Sequence, residues 1–168
     1  MKETELLAPA KDKYIAFEAI NCGADAVYMG ASCFGARHSA CNSLEDIKEV
    51  VEYAHKFWVK VYVTVNTVVE ERETERLYRF LEYLNRVKPD GLIVQDFGLV
   101  RMCQEFFPEL ELHASTQMNI ASSRAANLMG KEGFKRVVLA RELGLSEIQD
   151  IKSKSNIELE VFVHGALC

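Results

Sequence analysis

Short apolar runs alternate along this chain with longer amphipathic stretches, and this alternation constrains the fold more than any other feature. Most of the runs are continuously apolar, as expected for strands of a parallel sheet that are covered on both faces. The pattern predicts repeated βα units around such a sheet. The predicted strands are Glu5–Ala8, Ala26–Met29, Val61–Val65, Leu92–Val94, Leu110–His113, Val137–Leu139 and Leu159–Val163.

The stretches between these runs carry helix signals. Positions 47, 50, 51 and 54 are apolar at helical spacing, as are positions 77, 80, 81 and 84. Capped helix starts are predicted at Ser43 with Asp46 and at Ser146 with Gln149. Gly23 is predicted to end a helix directly before the next strand.

Seven strand–helix steps favour a parallel (βα) barrel of the TIM type over a doubly wound sheet, since no G-x-G-x-x-G fingerprint is present. A closed barrel needs eight strands, so we predict an incomplete α/β barrel with seven of the eight. No linker divides the chain, which predicts a single domain over residues 1–168. The sequence stops directly after an apolar run and His-Gly-Ala-Leu-Cys, whereas chain termini are usually polar. We therefore expect an N-terminal fragment of a longer protein.

Composition limits the function classes that remain. The 168 residues are 49% hydrophobic and carry a formal charge of -5, which argues against a general polyanion-binding surface but leaves room for a local basic pocket that grips RNA. No apolar run approaches the roughly 18 residues of a membrane span, and the charged N-terminus is not a signal peptide. Five cysteines without a C-x-x-C pair predict reduced thiols. We expect a cytoplasmic protein.

Polar residues follow the predicted strands repeatedly, where a (βα) barrel carries its functional groups. These residues are Tyr28, Arg37, Asn66, Asp96, His113, Ser115, Gln117, Asn119, Arg141, Glu142 and His164. Each also has a plain structural interpretation, as a helix cap or turn residue, a satisfied interior histidine or an ordinary ion pair. The repetition over several loops is the signal. The residues predicted to converge at one barrel mouth are His113, Gln117, Arg141, Glu142 and His164.

Six motifs occur in a fixed order along the chain. They are Glu5-Leu6-Leu7-Ala8-Pro9-Ala10, Gly23-Ala24-Asp25-Ala26-Val27-Tyr28, Tyr62-Val63-Thr64-Val65-Asn66-Thr67, His113-Ala114-Ser115-Thr116-Gln117, Leu139-Ala140-Arg141-Glu142-Leu143 and Glu160-Val161-Phe162-Val163-His164-Gly165-Ala166-Leu167-Cys168. Together they resemble the U32 peptidase family, also called collagenase-like, over essentially the whole chain. Members of that family are usually much longer.

The resemblance implies two kinds of activity. The family name records proteolysis of unassigned catalytic type, whereas other members are oxygen-independent hydroxylation proteins that act on tRNA uridine, ribosomal RNA cytidine or the ubiquinone ring. In several of these, four cysteines hold a [4Fe-4S] cluster and the cysteine of H-G-A-L-C, here Cys168, is the first ligand. Its three partners would lie beyond this chain. Lys11 stands where members commonly have glycine, so its side chain would narrow the first loop.

Of the activities that the resemblance implies, iron–sulfur-dependent hydroxylation of RNA is favoured over proteolysis, because H-E-x-x-H, G-x-S-x-G and a papain-type cysteine context are absent. Hydroxylation without oxygen needs electron transfer, which such a cluster supplies. A peptidase and a non-catalytic half of a complex are the alternatives. The expected partners are RNA or a peptide, and a second copy bound through the open barrel edge. Arg141 would bind an anionic group, and Glu142 would orient it or exchange protons. His113 and His164 are the other catalytic candidates, and the remaining polar residues would bind substrate.

Overall fold

The structure is a computed structural model that describes residues 4–35 and 42–165. Within these ranges strands and α-helices alternate along the chain, which confirms the predicted α/β class. The strands are β1 (Leu7–Pro9), β2 (Ala26–Gly30), β3 (Lys60–Val65), β4 (Gly91–Val94), β5 (Leu112–Ala114), β6 (Arg136–Val138) and β7 (Glu158–Glu160). The α-helices are α1 (Lys13–Asn21), α2 (Leu44–His55), α3 (Thr74–Val87), α4 (Phe97–Phe106), α5 (Ser123–Lys131) and α6 (Leu145–Lys154). Short 3-10 helices cover Glu71–Glu73 and Thr116–Met118.

The chain divides into two compact units, Met1–Leu110 and Glu111–Cys168. In the first unit β1 to β4 pair in parallel, with Tyr28 opposite Tyr62. In the second unit β5, β6 and β7 pair in parallel, and His113 lies opposite Arg136. The parallel pairing within each unit is as predicted. A single domain over residues 1–168 stays a prediction.

Apolar side chains cover both faces of the strands in the first unit. Every second residue of β3, from Val61 to Val65, is fully buried, and β3 packs against the apolar stripe of α2. On the opposite face Ala26, Tyr62 and Ile93 form a cluster against which Tyr28 packs. Burial of each large apolar side chain contributes about 1.5–3 kcal/mol. Burial on both faces is the reason why these strands appear in the sequence as continuous apolar runs.

Hydrogen bonds at the helix ends explain where the helices begin. Ser43 Oγ accepts a bond from the Asp46 N–H while the Asp46 carboxylate accepts one from the Ser43 N–H, so the predicted capping box is confirmed. The predicted start at Ser146 is wrong. The Glu147 carboxylate accepts a bond from the Gly144 N–H at 2.7 Å, so Gly144 is the N-cap and α6 begins at Leu145, two residues earlier than a cap at Ser146 would place it. Gly23 adopts a φ of 94° after α1, as predicted for a helix end.

The seventh strand differs most from its prediction. Pairing with β6 ends at Glu160, opposite Val138, and the apolar residues Val161 to Val163 follow the strand as exposed, irregular chain. The strand instead begins at Glu158, whose backbone N–H donates to the carbonyl of Lys135 and which lies opposite Arg136 in register. The Glu158 carboxylate lies 3.2 Å from the Arg136 guanidinium, so an ion pair accompanies the start of a strand that apolar patterning alone placed too late.

The loop before β3 holds the single tryptophan of the sequence. Trp58 is 94% exposed and has a φ of 61°, in the left-handed region that bulky residues rarely adopt. The backbone N–H of Trp58 donates to the carbonyl of His55 in the last turn of α2. The backbone, rather than the indole ring, is therefore what fixes this residue.

Candidate functional site

The loops that follow β5, β6 and β7 are tied together by hydrogen bonds. The Thr116 hydroxyl donates to the carbonyl of Leu139 at 3.4 Å, and the Ala140 N–H donates to the carbonyl of Ile120 at 2.9 Å. The Leu139 N–H donates to the carbonyl of Glu160, also at 2.9 Å. The carboxyl edge of the second unit is thus one connected surface. Of the residues predicted to converge, Gln117, Arg141, Glu142 and His164 lie on the chain that follows β5, β6 and β7, and their convergence at one site stays a prediction.

Arg141 stacks on an aromatic ring that the sequence analysis did not select. Its Cζ lies 3.9 Å from the centre of the Phe162 ring, well inside cation–π range. Arg141 is half-buried, whereas the neighbouring Glu142 and the more distant His164 are exposed. Phe162 was missed because it was assigned to the interior of strand seven. The sequence did carry a signal for Phe162, because this aromatic residue stands two positions before His164, the first residue of the H-G-A-L-C motif. A residue beside that motif is expected at the carboxyl edge of the strands.

The loop after β5 is shaped by its polar residues. Ser115 is buried, and its Oγ accepts a hydrogen bond from the Gln117 N–H at the start of the short 3-10 helix. This contact agrees with the capping alternative for Ser115. Asn119 ends that helix with a φ of 53°, a conformation that asparagine tolerates better than most residues. Gln117 and Asn119 are exposed, so their amide groups face solvent at this edge.

His113 lies deeper than the other predicted residues. Its side chain is fully buried, and Nε2 is 3.0 Å from Glu111 Oε1. This bond lowers the pKa of the Glu111 carboxyl. In register His113 faces Arg136, five residues before Arg141, so it does not share the level of Arg141. These contacts agree with the interior-histidine alternative, and a catalytic role for His113 stays a prediction.

Arg136 joins this buried layer as a charged group that sequence patterning did not identify. Its guanidinium lies 3.2 Å from Glu158 and 3.6 Å from Glu160. The Arg136 side chain is only 9% exposed. A buried charge needs such partners, so β6 and β7 are joined by ion pairs in addition to backbone bonds.

The predicted residues of the first unit have structural contacts. Asp96 caps α4 through a bond from the Leu99 N–H, which agrees with the capping alternative for this residue. The carbonyl of Asn66 accepts a bond from the Gln95 amide at 2.8 Å. Tyr28 is half-buried in the Tyr62 cluster. Their roles in substrate binding stay predictions.

Two further predicted residues, Arg37 and Cys168, lie outside the described residues. Asn42, the first described residue after position 35, is buried, and its side-chain amide donates to the carbonyls of Lys11 and Gly30, at 2.9 and 2.7 Å. Asn42 therefore ties the loop after β1 to the end of β2. Sequence patterning missed it because a single asparagine in a loop gives no distinctive signal.

The described cysteines do not gather around a metal ion. Cys22 is exposed, Cys33 is half-buried and Cys103 is buried. Burial raises the pKa of the Cys103 thiol to about 12 and also raises the pKa of Cys33, although the nearby Arg76 opposes the latter effect. Among residues 4–35 and 42–165, no group of three or more His, Cys, Asp or Glu side chains could hold a metal. This part of the chain does not by itself fit an iron–sulfur cluster.

Parallel βα units with polar side chains on the loops after the strands are a feature of (βα)-barrel proteins, in which functional groups gather at the carboxyl ends of the strands. In the described part of the chain, no helix is both long and apolar enough to cross a membrane. The chain belongs to Peptidase family U32, whose family model matches residues 13–168. The predicted family is therefore confirmed.

Solved structures confirm the predicted TIM-barrel-like fold class. The U32 peptidase Mk0906 covers 95% of this chain with a TM-score of 0.77 at 15% identity, and the match takes in 68% of that chain. Thiamine phosphate pyrophosphorylase from Pyrococcus furiosus covers 94% with a TM-score of 0.66 at 17% identity, over 73% of its own chain. At such low identities the similarity concerns the fold alone.

Curated relatives are much closer in sequence. The chain is 47% identical over 164 residues to the 23S rRNA 5-hydroxycytidine C2501 synthase of Escherichia coli (strain K12), covering 98% of this chain and 25% of that protein. It is 39% identical over 168 residues to the tRNA hydroxylation protein P1 of Bacillus subtilis (strain 168), covering 99% of this chain and 40% of that protein. It is 41% identical over 174 residues to the uncharacterized protease MJ0090 of Methanocaldococcus jannaschii, covering 100% of this chain and 42% of that protein. The chain thus spans a quarter to about two fifths of these relatives.

Proposed function

We propose that this chain is part of an enzyme that hydroxylates a pyrimidine base of ribosomal or transfer RNA. The observation that carries the proposal is the 47% identity to an RNA hydroxycytidine synthase over nearly the whole chain. The connected edge after β5, β6 and β7 supports it, because three loops there bring basic, acidic and amide side chains onto one surface. RNA recognition uses these groups for phosphates and base edges.

The proposed roles follow from the chemistry of each side chain. Arg141 binds a phosphate of the RNA, since its planar guanidinium offers paired N–H donors. Glu142 and His164, both exposed, exchange protons with the substrate. Gln117 and Asn119 donate and accept bonds at base edges. In the first unit, the substrate-binding proposal retains Tyr28, Asn66 and Asp96, together with Arg37.

Two residues of the second unit have a supporting role in this proposal. Ser115 shapes the loop that presents Gln117, through the bond from the Gln117 N–H. His113 acts as a positioning residue, because its side chain is fully buried and bonds to Glu111, at the amino end of β5, rather than to a group at the carboxyl edge. Both assignments explain burial without requiring contact with RNA.

Replacement of a ring hydrogen by a hydroxyl group is a two-electron oxidation, which ordinary side chains do not perform. We propose that a [4Fe-4S] cluster in the whole protein, with Cys168 as one ligand, would carry the two electrons one at a time from the base to an external electron acceptor. An oxygen donor at the oxidation level of water would supply the hydroxyl group, and two protons, one of them the displaced ring hydrogen, would be released. Cluster loading is measured as iron content and broad visible absorption of the anaerobically purified full-length protein. Cys168→Ser should lose both, whereas the matched variant Cys22→Ser should retain them, because Cys22 is an exposed thiol that does not belong to the H-G-A-L-C motif. A colourless, iron-free full-length protein would refute the cluster.

The activity is tested by mass spectrometry of nucleosides from a strain that lacks the gene. Full-length protein should restore a hydroxylated pyrimidine in rRNA or tRNA. Arg141→Ala should lower its formation roughly 10- to 150-fold, the value of one charge-assisted hydrogen bond. Arg86→Ala is the matched control, because Arg86 is an exposed arginine on α3 with only a distant 3.9 Å partner. Unchanged RNA together with gelatin cleavage would establish the peptidase alternative. Absence of both activities would favour the non-catalytic one.

We also propose that the enzyme acts in the cytoplasm, where rRNA and tRNA are found. Self-association through a barrel edge remains a proposal of the same kind. Sedimentation velocity of the purified full-length protein at several concentrations distinguishes a monomer from a dimer.

A further inference from the structure

We infer that the stacked pair of Arg141 and Phe162 is a platform for an unpaired base of the RNA. This inference rests on the proposed function and assigns a base-binding role to a residue, Phe162, that the proposal leaves unused. The Arg141 Cζ stands 3.9 Å from the ring centre, so the guanidinium lies against the ring. The two side chains come from different loops, after β6 and after β7, and meet at the functional edge.

The exposure of Phe162 supports contact with a ligand. Phe162 is 37% exposed although the Arg141 guanidinium lies against its ring, and the flanking Val161 and Val163 are also exposed. Three successive apolar side chains therefore face solvent directly beyond β7, beside a basic group. Flat aromatic and guanidinium groups stack on unpaired bases, whose π-faces make this contact independent of sequence.

The backbone holds the platform in a fixed place. The bond from Leu139 to the carbonyl of Glu160 joins the two loops immediately before Arg141 and Phe162. The bond from Ala140 to the carbonyl of Ile120 joins the same edge to the loop that carries Gln117 and Asn119. A base on the platform would consequently lie beside a loop whose exposed amides can both donate and accept at a base edge. Stacking supplies affinity in this arrangement, and the amides supply discrimination between bases.

The formal charge of this chain does not favour binding through many phosphates. The chain carries a formal charge of -5, so an extended basic track is not expected to drive binding. Phe162 lies on one face of the Arg141 guanidinium, and an arginine recognises a phosphate or a base edge through the N–H donors in the plane of that group. We therefore expect affinity to depend on stacking more than on the number of phosphates.

The test uses full-length protein and a single-stranded oligoribonucleotide of the target sequence, with 2-aminopurine replacing one base at a time. Stacking quenches 2-aminopurine, so wild type should quench it at one position. Phe162→Leu should abolish this quenching and weaken binding roughly 5- to 150-fold, the range that stacking of one base covers. Phe162→Tyr keeps the aromatic face and should remain within about threefold of wild type. Phe57→Leu is the matched control, because Phe57 is an exposed phenylalanine before β3, at the other ends of the strands.

An abasic nucleotide at the quenched position separates stacking from folding. Wild type should bind the abasic RNA as weakly as Phe162→Leu binds the intact RNA. Phe162→Leu should bind the abasic RNA and the intact RNA with the same affinity. If wild type binds RNA but Phe162→Leu retains both the affinity and the quenching, the pair is only a structural contact and the inference is wrong. If wild type binds no RNA and restores no hydroxylated base, the proposed function itself fails.

Discussion

Removal of Arg136 should destabilise the second unit strongly. The guanidinium is nearly buried and lies 3.2 Å from Glu158 and 3.6 Å from Glu160, whose side chains are 29% and 16% exposed. Removing one partner of a buried ion pair costs about 3–5 kcal/mol, because the remaining charge loses its compensation. Since both carboxylates keep partial access to water, we expect the lower end, about 3 kcal/mol, for Arg136→Met. For a chain of this size that loss corresponds to a fall in melting temperature of roughly 6–12 °C.

The assay is thermal and urea unfolding followed by circular dichroism at 222 nm. Arg86→Met is the control and should cost under about 0.5 kcal/mol, because its pair with Glu82 is exposed and long. Adding Glu158→Gln and Glu160→Gln to Arg136→Met should recover more than half of the loss, since neutral amides tolerate the missing cation. A loss below about 1 kcal/mol for Arg136→Met, or a triple variant no more stable than the single one, would refute the reasoning.

Three further predictions follow from local contacts. The hydrogen bond from Lys13 holds the pKa of Asp46 at about 2, below the usual 3.8. A carboxylate whose pKa is lower in the folded than in the unfolded chain stabilises the fold at pH values above the unfolded pKa, so this contribution should be complete above about pH 5 and vanish as the pH falls through 2. Asp46→Asn should flatten that part of an acid-unfolding curve. Asp96→Ala should cost about 0.5–2 kcal/mol in urea unfolding through the lost cap of α4, and an unchanged midpoint would contradict the capping role. Iodoacetamide at pH 8 should alkylate the exposed Cys22 within minutes, whereas the buried Cys103, with a pKa of about 12, should stay unmodified in the native protein. Peptide mass spectrometry measures the labelling, and equal labelling of the two thiols would contradict the burial of Cys103.

The fold was predictable wherever burial alone decides the structure. Strands such as β3 are covered on both faces, so their apolar runs stand out in the sequence, and their order gave the parallel βα class. The start of β7 was not predictable in this way. Its first residue, Glu158, is held by Arg136 from another strand, and no local pattern encodes a contact across 22 residues.

The candidate site divides in the same manner. That Arg141 follows a strand could be predicted, because the preceding apolar run locates the strand end. That its guanidinium lies on Phe162 could not, since this contact depends on the register between β6 and β7. Asp96 and Ser115 are positions at which the sequence leaves two roles open. A helix-capping residue and a ligand-binding residue can be the same residue type and can both directly follow a strand. Only the hydrogen bonds distinguish the two roles.

The position of Trp58 determines what fluorescence can measure on this protein. An indole that is already in water when the chain is folded emits at nearly the same wavelength after unfolding, so the intrinsic emission is a poor reporter of the folded fraction. The same exposure makes the ring accessible to soluble quenchers such as acrylamide. A change in its quenching, at constant circular dichroism, would therefore signal that a molecule had covered the surface before β3 while the fold stayed intact.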